Sequence, residues 1–123
     1  NSKELVGKTA VFDIDGDYTF ASYLIRIVLK DDLVNKEYLN YLFNSSILQF
    51  QKDLTSRQIT GQANINAQEM QEFLFPLPDI MTQNKIASYI SGIKYKVKTL
   101  KEKANQNRTK ALYELEQKIF SKS

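Results

Sequence analysis

Between Leu54 and Gln68 the chain collects side chains that can read the edges of bases. Arg57 is the one charged residue of this stretch, and Gln58, Thr60, Gln62 and Asn64 follow it at close intervals. A guanidinium can donate two parallel hydrogen bonds to guanine, a carboxamide can both donate to and accept from adenine, and a hydroxyl can meet base or phosphate. One cation with no acid inside the stretch also lets it approach phosphates without repulsion, and Gly61 admits close backbone approach. A solvated surface loop has much the same composition, because loops are polar. On residues alone both readings stand.

Other chemistry finds less support. Gly7-Lys8-Thr9 copies the end of a phosphate-binding loop but lacks the upstream Gly at the required spacing. The alternating Asp13, Asp15 and Asp17 invite a calcium reading, yet the position that should close such a loop with Glu holds Leu24. A metal-dependent nuclease would need these acids gathered with Asp31 and Asp32 around an ion, and nothing else in the sequence gathers them. The 123 residues include no Cys and no His. That removes disulfides, thiolate metal sites and the commonest general base, so the sequence points away from an enzyme and from a metal site. No apolar run approaches the roughly 20 residues of a membrane-spanning helix. The chain opens Asn-Ser rather than with Met, and is expected to be part of a longer protein.

The elements that must position the loop follow from periodicity. Thr9–Ile14 alternates as a short strand, Asp15-Gly16-Asp17 is a turn with Gly16 free to take a positive φ, and Tyr23–Leu29 is apolar on both faces, as a central strand would be. Asn35 can cap a helix reaching about Leu54, with Leu39, Leu42, Phe43, Ile47 and Phe50 facing the sheet and a bend at Asn44-Ser45-Ser46. Its aromatics Tyr38, Tyr41, Phe43 and Phe50 read as core before they read as a ligand platform. Asn66 with Glu69 forms a capping box for a short helix. Pro76 and Pro78 hold Leu74–Leu77 extended, and Asp79 or Thr82 can cap a last helix running from Gln83 to Phe120. The spacing therefore predicts an α+β fold. A small mixed β-sheet body with packing helices spans residues 1–78, and a long C-terminal coiled-coil helix spans 79–123.

On that helix Ile86, Ile90, Ile93, Val97, Leu100 and Ala104 recur every three or four residues, a coiled-coil seam. The seam meets a polar residue at Asn107 and resumes one position out of phase at Leu112, Leu115 and Ile119. So narrow a stripe on so long a helix calls for a second helix. The net charge of +3 is uneven: residues 94–123 carry nine Lys/Arg against three Glu, and residues 1–93 carry eight against eleven Asp/Glu.

The order of these features resembles the specificity subunits of type I restriction–modification systems. The matching residues are Gly61-Gln62-Ala63-Asn64-Ile65-Asn66, then Phe75-Pro76-Leu77-Pro78, then Gln83-Asn84-Lys85-Ile86-Ala87. They correspond to the later part of one target-recognition domain and the spacer helix after it. Where the family usually carries an acid directly before the Gln, this chain has Thr82. The resemblance implies a non-catalytic, cytoplasmic module that reads part of a split target in double-stranded DNA. It also implies a long helix that pairs with a second half of the parent protein or with another copy of the chain, and docks a DNA methyltransferase subunit. S-adenosylmethionine, Mg and ATP are then expected only on partner subunits, with no cofactor on this chain. Under that implication Arg57, Gln58, Thr60, Gln62 and Asn64 become candidate DNA contacts, Lys8 and Lys52 candidate phosphate contacts, and Asn66 a cap. The alternative is a protein-interaction module that uses its coiled-coil helix and touches no nucleic acid. The acidic balance of residues 1–93 favours that alternative, since duplex binders usually present a positive face.

Overall fold

A computed structural model describes residues 6–56 and 65–121. Four helices follow one another: α1 (Lys36–Phe43), α2 (Ser46–Ser56), α3 (Ala67–Gln71) and α4 (Ile80–Phe120). The chain divides into two compact units, Asn1–Ala87 and Ser88–Ser123, with the division inside α4.

The expected β-sheet body is not there. Among the described residues no strand forms. A ladder needs a neighbouring strand to take up each N–H and C=O, and residues 9–29 meet none. The start of this segment is held by side-chain amides instead. The Thr9 N–H donates to Asn44 Oδ1 at 3.0 Å, Asn44 Nδ2 donates back to Thr9 O at 2.9 Å, and Thr9 Oγ1 donates to Asn40 Oδ1 at 2.8 Å. The chain bends at Gly16, whose φ is the positive one expected, +129°, and Phe12 meets Tyr18 edge-on at 5.3 Å. The β-branched and aromatic side chains that read as a central strand stay largely exposed, Tyr23 and Val28 among them.

The first unit is built on α1 and α2. Asn35 Oδ1 accepts from the Tyr38 N–H at 2.9 Å, the cap its position suggests. The helix then stops at Asn44, and the two residues before Ser46 turn the bend expected from sequence into a break between two helices. That break rephases the apolar stripe. Leu42 and Phe43 are buried as expected, but beyond the break Leu48 is fully buried while Ile47 and Phe50 face solvent. Tyr38 and Leu42 pack with Ala87 of α4, and Phe43 and Leu48 pack with Phe73, whose ring lies 6.3 Å from that of Phe43. Phe75 touches both clusters and joins them.

The capping box at Asn66 is complete, with Glu69 N–H donating to Asn66 Oδ1 at 2.8 Å and the Asn66 N–H to Glu69 Oε2 at 2.9 Å. Asp79 caps α4 by accepting from the Thr82 N–H at 2.7 Å. The Thr82 hydroxyl first, and its amide second, hold the Asp79 carboxyl below its ordinary range. Helix α4 is 41 residues long, about 60 Å at 1.5 Å per residue. In the second unit it is a single helix whose described side chains are exposed, Val97, Leu100 and Leu115 included, apart from the half-buried Ile90.

Candidate nucleic-acid interface

Arg57, Gln58, Thr60, Gln62 and Asn64 lie outside the described residues. The residues on either side of them are described and are firmly held. Helix α2 runs to Ser56. On the far side Ile65 packs into the Phe43–Leu48–Phe73 cluster, and the next residue opens the capping box of α3. Gln51 adds a clasp across the same region, donating from Nε2 to Leu74 O at 2.6 Å and accepting the Leu74 N–H on Oε1 at 2.8 Å. The residue that follows the amide-rich segment is thus packed against the core, and Gln51 of α2 is tied to Leu74.

The two lysines expected at phosphates part company. Lys8 is exposed. Lys52 is only 2% exposed, and its ammonium donates to Gly7 O at 2.6 Å and to Phe43 O. The same Nζ lies 5.9 Å from the centroid of the Phe43 ring. Burial first, then the nearby Lys8 charge, pull the Lys52 pKa below the ordinary lysine value, with Asp53 opposing. Gly7 makes room for this arrangement. Its φ is +73°, and a Cβ there would come within 2.8 Å of Lys52 Cδ and 3.2 Å of Ile65 Cδ1. The geometry gives Lys52 a scaffold role: it ties the segment carrying Lys8 to the end of α1, with Ile65 beside Gly7 as well.

The residue that sequence reasoning left without a role is Gln83. Its side chain is 0% exposed and fully bonded. Oε1 accepts the Asn35 N–H at 2.8 Å, while Nε2 donates to Leu33 O and Pro78 O, each at 2.8 Å. Asn35 Nδ2 reaches Asn84 Oδ1 at 2.7 Å, and the Tyr38 hydroxyl donates to Pro76 O at 2.7 Å. One amide therefore fastens the first turn of α4 to the residues that start α1. The signal available in sequence was a Gln one turn after Pro78-Asp79, on the face that Ala87 continues into the core.

Among the described residues no group of three or more His, Cys, Asp or Glu is gathered to hold a metal ion, and no helix is long and apolar enough to cross a membrane.

Comparison with known protein families matches residues 3–108 to the type I restriction modification DNA specificity domain. The chain belongs to that family. The match spans the amide-rich segment, the Gln83 clasp and most of α4. It supports a DNA-recognition role within a type I restriction–modification system. No curated protein and no solved structure gave a match.

Proposed function

We propose that this chain reads one part of a split DNA target through residues 55–66 and docks a DNA methyltransferase subunit through α4. The family match over residues 3–108 carries the reading. The anchoring of Ile65 and Asn66 on one side of the loop and α2 on the other supports it. Arg57, Gln58, Thr60, Gln62 and Asn64 supply base contacts, and the exposed Lys8 a phosphate contact. The chain performs no chemistry itself. S-adenosylmethionine, Mg and ATP belong to partner subunits, and the assembly works in the cytoplasm beside its DNA.

Two measurements test the two halves. Arg57→Ala is expected to weaken or relax DNA recognition by about 1–3 kcal/mol, the worth of a bidentate base contact. Unchanged affinity and unchanged selectivity in a titration at fixed salt would remove Arg57 from the contact set. Leu100→Asp places a charge in the α4 seam, where the wild-type side chain is exposed, so the first unit stays folded while pairing with a second helix is lost. Sedimentation of the chain mixed with its methyltransferase subunit checks this, and an undiminished complex with the Asp variant would show that α4 docks nothing through that face.

A further inference from the structure

The positions that flank the α4 seam carry information the seam itself does not. Between Ile90 and Asn107 the seam advances by three and four residues through Ile93, Val97, Leu100 and Ala104. The flanking positions beside it are then Tyr89, Lys94, Lys96, Lys101, Lys103 and Arg108, all exposed and all basic except Tyr89. Such positions meet their counterparts on the opposing helix and set which partner is accepted.

From this we infer that α4 pairs with an acidic helix, one whose apolar seam is flanked by Glu or Asp, in preference to a second copy of itself. The inference rests on the docking half of the function proposed above and specifies the chemistry of that partner's face. A parallel copy would set Lys96 against Lys101 and Lys103 against Arg108. An antiparallel copy aligned over the same seam would set Lys94 against Lys101 and Lys96 against Lys103. A third register, antiparallel about Gln106, aligns Ile93 with Ile119, Val97 with Leu115 and Leu100 with Leu112. It brings Glu116 to Lys94 and Glu102 to Arg108, and places Lys118 beside Lys96. Like charges at close range on paired helices are destabilising. A phosphate backbone also attracts cations, but it offers nothing to the apolar stripe that these lysines border on both sides. A helix with acidic flanks satisfies stripe and border together.

The test uses the whole chain and two synthetic helical peptides with the same Leu/Ile seam, one flanked by Glu throughout and the other by Lys. Fluorescence anisotropy at low salt is expected to show the Glu-flanked peptide binding about tenfold or more tighter, as several weak ion pairs acting together would give. The preference should shrink at about 0.5 M salt, where exposed charges are screened. The quadruple variant K94E/K96E/K101E/K103E, altered only at exposed positions, should reverse the preference, and an unchanged circular dichroism spectrum would show that its helix persists. Equal binding of both peptides, self-association of the chain at low salt as tight as its binding of the Glu-flanked peptide, or displacement of that peptide by a duplex oligonucleotide would each overturn the inference. The assay contains no recognition site and does not depend on Arg57. Loss of the peptide preference with DNA selectivity intact would therefore leave the loop's role standing, and the converse result would leave the acidic-partner inference standing.

Discussion

Replacing Gln83 with Leu is expected to cost about 3 kcal/mol of stability. The side chain is wholly buried and makes three hydrogen bonds, so Leu would strand the Asn35 N–H and the carbonyls of Leu33 and Pro78 in an apolar setting. An orphaned buried polar group costs roughly 1–3 kcal/mol. The carbonyls sit in connecting segments that can recruit water, which keeps the total below the sum. Urea unfolding should show a lower midpoint with an unchanged slope. Gln83→Glu sharpens the test. Its carboxylate could still accept from Asn35, but it would face two carbonyls where the amide had donated. Protonation restores one donor, so burial and the carbonyls raise the folded-state pKa of this Glu above its unfolded value. Its stability relative to wild type should therefore be best in acid and fall as pH rises through that folded-state value. A loss under about 1 kcal/mol for the Leu variant would mean that the clasp contributes little.

Lys52→Ala separates two accounts of one residue. As a phosphate contact its loss would lower DNA affinity and reduce the salt dependence of binding by about one ion, with stability untouched. The structure leads to the opposite expectation. Alanine would leave Gly7 O and Phe43 O without their donor and open the space filled by the lysine stem, for a loss of about 2–4 kcal/mol. Folded protein should bind DNA as wild type does, whereas Lys8→Ala should show the reverse pattern. The pH dependence supplies a further check. Native Lys52 gives up its proton below the ordinary value of 10.5 that the unfolded chain keeps. Across the interval between the two values the unfolded state holds more protons. Wild-type stability measured against Lys52→Ala should thus rise with pH there and level off once both states are neutral. An Ala variant as stable as wild type would return Lys52 to the surface.

Local signals in the sequence were read well wherever a cap or a breaker decides the matter. Asn35, Asn66 with Glu69, and Asp79 all cap as their positions suggest, and α4 runs unbroken to Phe120. The sheet was misread because apolar, β-branched composition shows only that a segment suits a ladder. It cannot supply the neighbouring strand, and residues 9–29 have none among the described residues. The helix face of α2 was misread because Asn44 and Ser45 interrupt the turn count, which moved Leu48 inward and Phe50 outward. Lys52 and Gln83 were invisible for a shared reason. A long polar side chain is buried only when carbonyls or amides from distant segments converge on it, and no spacing rule announces that convergence. The family resemblance was carried by Gly61–Asn66, the two prolines and Gln83–Ala87. The family match over residues 3–108 agrees with it.

The most direct test of the central claim is enrichment of a randomised duplex pool by the full chain at low salt, with the bound fraction sequenced. DNA specificity through residues 55–66 predicts recovery of one short, fixed sequence, with at least one position losing its preference when Arg57→Ala replaces the wild type. Recovery of the pool unchanged, or of the same sequence with all five candidate contacts replaced by alanine, would contradict it.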